Sequence, residues 1–275
     1  MQQASDFLTE CDRIHALVAP LDDAQLATQT AFKRWTIGDV IGHLHVWNQA
    51  AQLSLKNEEA FKAFMGQVGG IIRSGGDLNA FERVWLDGLS GQALIAAWAE
   101  TYRATAVDFA TADPAQRVPW AGPSMSARSS ITARLMESWA HAQAIFDVLG
   151  VERENGDAIK NICVLGLNTY GWTFKNRKLD APQPVPQLRL IAPSGELWVL
   201  GEPADGELIE GDAAEFCQVV TQTRNIADTS LKVTGPNATA WMAIAQCFAG
   251  APVDPPAPGV RRKAGAYSTT PPCPL

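Results

Sequence analysis

The apolar positions of the first two thirds of the chain recur at helical spacing. Residues 4–18 set Phe7, Leu8, Cys11, Ile14, His15 and Leu17 along one helix, and Pro20 ends the pattern. A second helix opens in "RWTIGDVIGHLHVWNQAAQLSL", with Thr36 as N-cap and Asp39, three residues on, completing a shortened capping box. "NEEAFKAFMGQVGGIIR" predicts a weaker third helix closed by Gly75 and Gly76, and residues 77–88 add a short helical piece. "SGQALIAAWAETYRATAVDFATAD" predicts a strong helix with Ser90 at its cap. After Pro114 comes a loop, "RVPWAGPSMSARSS"; Ser129 or Ser130 is then the expected cap of a helix running through "MESWAHAQAIFDVLG". Four long helices with modest loops predict a four-helix bundle, and polar residues pointing into such a bundle are where a site is built.

The pattern changes after about residue 150. "GDAIKNICVLGLNTYGWTFKNRKL" still has helical spacing. Beyond "DAPQPVPQ", "LRLIAPSGELWVL" is two short alternating runs around Pro193, Ser194 and Gly195, a hairpin signature. "DAAEFCQVVTQT" and "NATAWMAIAQCFAG" predict two further helices. The expected fold is therefore mainly α with a smaller α+β part: a bundle over 1–178, a small C-terminal α+β domain over 179–255, and a proline-rich tail over 256–275 that is extended over the surface or mobile.

Composition narrows the function classes. The 275 residues are 47% hydrophobic, enough for a substantial core, and carry a net charge of -7. Nucleic acid and anionic membrane surfaces call for a basic face, so neither is an expected partner. No run of about 18 apolar residues suggests a membrane span, and the N-terminus lacks the pattern of a signal peptide. The five cysteines (Cys11, Cys163, Cys217, Cys247 and Cys273) are scattered and form no CxxC. They read as reduced core thiols of a cytoplasmic protein. Apolar faces on bundle helices would suit a homodimer.

The candidate chemistry lies in "MESWAHAQ" and "GDVIGHLHVWN". Glu137 and His141 are four apart, so on a helix they share a face and can reach one ion; the plainer reading is a helix-surface pair worth a few tenths of a kcal/mol. Only four histidines occur, and His43 and His45 flank the apolar stripe of the second helix on opposite sides, so the stripe does not choose between them. His15 belongs to its own helix's apolar pattern and reads as a packed histidine. One histidine with Glu137 and His141 makes a His2Glu set, the pattern of a catalytic metal site with open positions. Arg134, three residues before Glu137, could hold a substrate carboxylate bidentately or pair with an acid on the bundle surface. Trp47, Trp120 and Trp139 could wall an apolar pocket or simply fill the core.

"WTIGDVIGHLHVWN" resembles the "W-[ST]-x-x-D-x-x-x-H-[LV]" segment of the DinB-like metal-binding four-helix bundles. "ARLMESWAHAQAIFDVLG" resembles the second ligand helix of the mycothiol-dependent maleylpyruvate isomerase-like branch, and "LRLIAPSGELWVLGE" through "CFAG" is similar to the C-terminal domain of those proteins. The resemblance implies metal ligands at His43, Glu137 and His141, and it is the resemblance that selects His43 over His45. It also implies an arginine near the cleft at Arg224. The chain departs from relatives that read "HGQD", having His141-Ala142-Gln143-Ala144 instead. The missing acid removes a contact that bears on the isomerase activity more than on metal binding. What the resemblance implies is a thiol-dependent isomerase or transferase holding a divalent ion (zinc first, nickel or iron next), with a low-molecular-weight thiol as cosubstrate and a small electrophilic molecule as substrate. Metal-dependent hydrolysis is the alternative chemistry, with only Glu137 and Asp147 nearby as acids. A non-catalytic metal- or ligand-binding module is the reading from another class.

Overall fold

The computed structural model describes residues 1–261. The N-terminal part consists of α1 (Gln2–Val18), the single turn α2 (Asp23–Leu26), α3 (Ile37–Lys56), α4 (Glu58–Arg73), α5 (Leu78–Leu86), α6 (Gly91–Thr111) and α7 (Ala127–Leu149). A minimal hairpin, β1 (Arg117–Val118) with β2 (Met125–Ser126), interrupts the loop before α7. Helices α1, α3, α6 and α7 enclose one core, in which Phe7, Ile14, Ile41, Leu44, Trp98, Tyr102, Phe109, Leu135 and Ile145 are buried. Helices α4 and α5 lie outside this bundle against α3 and share an aromatic cluster with it: Trp47, Phe61, Phe64 and Phe81, with Trp85 and Trp120 at its edge.

The caps explain several boundaries. Thr36 and Asp39 form the expected capping box, each side chain taking the other's backbone N–H. Asp22 and Gln25 form another on α2, a turn the apolar pattern does not signal. Helix α7 begins earlier than expected: Ser126, not Ser129 or Ser130, is the N-cap, accepting from the Ser129 N–H. Ser90 occupies the cap position of α6, but its side chain makes no capping bond.

The C-terminal part holds a short 3₁₀ turn (Asp157–Ile159), α8 (Lys160–Asn168), α9 (Tyr170–Asn176), β3 (Gln187–Ile191), β4 (Leu197–Leu200), β5 (Leu208–Asp212), α10 (Ala213–Val220), a second 3₁₀ turn (Ile226–Asp228), β6 (Lys232–Thr234) and α11 (Pro236–Ile244). The predicted hairpin is β3–β4, with Gly195 at φ +87 in its turn. Two strands were not expected. β5 pairs parallel to β3, and β6 closes the other side, giving the order β4-β3-β5-β6.

The single helix predicted over 156–179 is broken at Thr169, whose hydroxyl bonds back to the carbonyls of Leu165 and Gly166. Although the sequence pattern runs the bundle to residue 178, Ile162, Cys163, Tyr170 and Phe174 bury their side chains in the second core with Leu188, Ile209, Phe216 and Trp241. Of the proline-rich tail, residues 262–275 lie outside the described residues. Residues 253–261 run over the surface without helix or strand. They are held by Gln222 on the Val253 carbonyl, Asn225 on Pro256, Asp228 on the Gly259 N–H and Arg261 on the Gln222 carbonyl.

Candidate metal centre

Helices α3 and α7 run antiparallel: His43 lies beside Glu137 and His141, while Asn48, further along α3, meets Arg134, earlier on α7. His43, Glu137 and His141 each offer a ligand atom within 4.8 Å of the others. The imidazoles of His43 and His141 stand 4.4 Å apart between centroids, and His141 Nε2 lies 3.0 Å from Glu137 Oε2. The His43 side chain is buried, whereas Glu137 and His141 are 25% and 15% exposed, so the group faces an opening. His45 lies outside this group and bonds Gln49 through Nε2 at 3.1 Å. His15 is half-buried and packs on Trp98 and Tyr102.

Two groups around the triad carry no sequence signal. Glu82, on α5, is buried; its Oε1 lies 2.6 Å from His43 Nδ1 and accepts from Trp47 Nε1 at 2.8 Å. The turn before α3 sets the rings of Phe32 and Trp35 on His141, at 5.1 and 6.2 Å, and Trp35 also against His43. Between these aromatics, Lys33 and Arg34 both adopt left-handed backbone (φ +50 and +59), a conformation that costs non-glycine residues about 1–2 kcal/mol each. Lys33 places its ammonium, and Arg261 its guanidinium, 5.2 Å from the centroid of the Phe32 ring.

The electrostatics follow from burial and neighbours. Burial pushes the His43 pKa well below the usual imidazole range, and positive charge on His141, Arg134 and Lys33 adds to this against the opposing pull of Glu137. The ring is therefore neutral, and its contact with Glu82 is a hydrogen bond rather than an ion pair. Burial raises the Glu82 carboxyl to about 7, assisted by Asp39 and Asp77, although the Trp47 bond and His141 oppose it. Burial acts on Glu137 in the same sense, but the His141 bond and charge, with Arg134 and His43, outweigh it and hold that carboxyl at about 2.

The chemistry of this donor set suits a divalent cation. One carboxylate and two imidazoles are borderline-hard ligands, and the buried His43 Nε2 has no partner among the described residues, so it is open to a metal ion. The Nδ1 bond to Glu82 is the carboxylate–histidine arrangement that commonly backs a metal ligand.

The remaining sequence candidates are dispersed. Arg134 is buried and, among the described residues, makes no ion pair with an acid; its Nε donates to Asn48 Oδ1 at 3.0 Å, and Arg134 Nη2 and Asn48 Nδ2 find no partner among those residues. Arg224 grips Asp147 at the far end of α7. Trp47 and Trp120 meet in the aromatic cluster, whereas Trp139 faces the second core, donating to Asn155 beneath the Arg153 guanidinium. Cys11, Cys163, Cys217 and Cys247 are free and buried, and Cys273 lies outside the described residues.

A bundle that brings two histidines and a glutamate together from two antiparallel helices, followed by a small α+β unit, defines a class of helical-bundle proteins. Within that class, the chain belongs to the mycothiol maleylpyruvate isomerase N-terminal domain family, whose profile matches residues 7–146. An uncharacterised protein of Mycobacterium tuberculosis, found in strains CDC 1551 / Oshkosh and H37Rv, is 33% identical over 248 residues, spanning 90% of this chain and 95% of the relative. Crystal structures of a mycothiol-dependent maleylpyruvate isomerase and of its histidine-to-alanine variant share the fold, with TM-scores of 0.52 and 0.51 at 15% identity over 79% of this chain and 87% of theirs. No helix among the described residues is long and apolar enough to cross a membrane.

Proposed function

We propose that this chain is a metal- and thiol-dependent isomerase acting on a small electrophilic molecule that bears a carboxylate. The observation that carries the reading is the convergence of ligand atoms of His43, Glu137 and His141 within 4.8 Å, with His43 Nε2 left without a partner among the described residues. These three residues would hold zinc, with nickel or iron suited to the same donors. Such an ion, when bound, favours the thiolate form of a low-molecular-weight thiol. Family membership and the likeness to a mycothiol-dependent isomerase support mycothiol as the thiol.

The chain's own residues supply binding and orientation. Phe32 and Trp35 wall the imidazole of His141 and keep water from that side. Arg134 is a buried cation whose Nη2, like the Nδ2 of Asn48, has no partner among the described residues, and it would offer a donor to a substrate carboxylate. The substrate is proposed as a class because Ala144 stands where relatives often carry an acid. Hydrolysis is less well supported: the Asp147 carboxylate, a candidate base in the sequence, is held by both terminal nitrogens of Arg224.

The test is elemental analysis of protein purified without a metal-binding tag, beside the His43→Ala/His141→Ala double variant, followed by isomerisation assays with mycothiol and maleylpyruvate. About one equivalent of zinc, nickel or iron in the wild type and none in the variant is expected for a His2Glu site, with turnover that needs the thiol. A metal-free wild type that cannot be reloaded would return Glu137 and His141 to a helix pair and favour a binding module.

A further inference from the structure

We propose that Glu82 is the positioning residue of this centre: its carboxylate accepts the Nδ1 proton of His43, and so fixes the tautomer whose Nε2 faces Glu137 and His141. The proposal rests on the metal reading above and extends it to a residue on a different helix, nearly forty positions away in sequence.

The tautomer follows from the bonding at a single oxygen. The indole N–H of Trp47 is a donor only, and it uses one lone pair of Glu82 Oε1 at 2.8 Å. His43 Nδ1, 2.6 Å away, meets the other, and where Glu82 is ionised that contact is a hydrogen bond donated by the ring. A neutral imidazole carries one proton, which leaves Nε2 as a lone pair, and Nε2 is the ring nitrogen that has no protein partner. Without the carboxylate, nothing among the described contacts of His43 would choose between the two tautomers.

The placement of Glu82 is itself supported from several directions. Asp77 caps α5 through the Ala80 N–H. Phe81, on one side of Glu82, is locked into the aromatic cluster against Phe64. Arg83, on the other, reaches out to Asp39 at 3.1 Å, and Asn79 reaches the same oxygen at 3.4 Å, so both tie α5 to the first turn of α3. Gly42, the neighbour of His43, lets α5 approach closely: a Cβ there would stand 2.9 Å from Leu86 Cδ1. Phe81 inward and Arg83 outward leave Glu82 a single direction, along α3 toward His43 and Trp47. A carboxylate in this position fixes ring orientation and raises ligand basicity at metal sites.

The experiment compares full-length wild type, Glu82→Ala and Glu82→Gln. Histidine ¹⁵N NMR of the metal-free proteins reads the His43 tautomer, and competition with a chromophoric chelator reads zinc affinity. The wild type is expected to carry the proton on Nδ1. In Glu82→Ala the proton moves to Nε2 or divides between the nitrogens, and zinc affinity falls about 10–100-fold. Glu82→Gln keeps an acceptor oxygen but loses the charge, so it retains the tautomer and weakens zinc binding roughly 3–10-fold, because charge-assisted bonds are about twice as strong as neutral ones. A folded Glu82→Ala with the proton still on Nδ1, or with wild-type zinc affinity, overturns the proposal. Should Glu82→Ala not fold, wild-type zinc affinity in Glu82→Gln overturns it. A wild type that binds no zinc sinks the metal reading instead, and the tautomer in the metal-free variants then decides the role of Glu82 by itself.

Discussion

Arg224 holds Asp147 through two parallel hydrogen bonds of 2.7 and 2.6 Å, Nη1 to Oδ2 and Nη2 to Oδ1. Gln143 donates to the same carboxylate, and Arg224 Nη1 also meets the Thr223 carbonyl. The arginine that resemblance places near the cleft is thus a clamp between the end of α7 and the loop after α10.

Both partners of this clamp are largely buried, at 11% and 8% side-chain exposure. Removing one leaves the other charged and unpaired, which typically costs about 3–5 kcal/mol. Arg224→Met is expected to destabilise the protein by that amount in urea denaturation, and Arg224→Met/Asp147→Leu to recover most of it. Equal loss in the single and double variants would show that the pair is not what Arg224 contributes.

Arg134 makes the opposite prediction. It is a buried cation whose side-chain contacts include no carboxylate bond, and replacing buried ionic groups by apolar ones of similar volume often stabilises by about 1–4 kcal/mol. Arg134→Met is expected to unfold at higher urea while raising KM for a carboxylate-bearing substrate. A variant less stable than wild type would mean that Arg134 is structural.

The pH dependence of the metal-free protein separates two neighbours. Glu82 is raised from its unfolded value to about 7, so the folded state holds the extra proton and stability falls as pH rises from about 4.5 to 7, by about 3 kcal/mol at most. His43 is lowered, so the unfolded state takes the proton first and stability rises with pH up to about 6.5. The two slopes oppose each other in the wild type. Glu82→Gln should expose the rising slope and His43→Gln the falling one, measured by urea midpoints across pH 4.5–7. Slopes unchanged from wild type in both variants would refute the assignment.

Cys11, Cys217 and Cys247 are all pushed up by burial, and Cys163 lies 3.5 Å from Cys217 in the second core. Alkylation of the native protein by iodoacetamide is expected to leave these four untouched and to modify them only in denaturant. Mass spectrometry of digests checks this site by site.

How much of this the sequence revealed depends on how local each contact is. The Thr36–Asp39 box and the Glu137–His141 spacing are written three and four residues apart, so both were legible. Choosing His43 over His45 took a resemblance, because the helix turns both histidines toward buried surroundings. Glu82 was invisible, since only the packing of α5 on α3 brings it to His43 and Trp47. Phe32 and Trp35 depend on two left-handed residues of types that do not advertise that conformation. Strands β5 and β6, "LIEGD" and "KVT", are too short and too polar to show alternation, and β5 is identified by its parallel pairing with β3. The serine-rich "SMSARSS" offered several equivalent caps, and the β1–β2 hairpin placed Ser126 at the start of α7.

Helix α7 turns Leu135, Ala142 and Ile145 into the bundle core and Met136, Trp139 and Ala140 into the second one. Neither core is complete without that shared wall. A foreign C-terminal partner joined to this bundle would therefore have to fit the back of α7 as closely as the bundle fits its front.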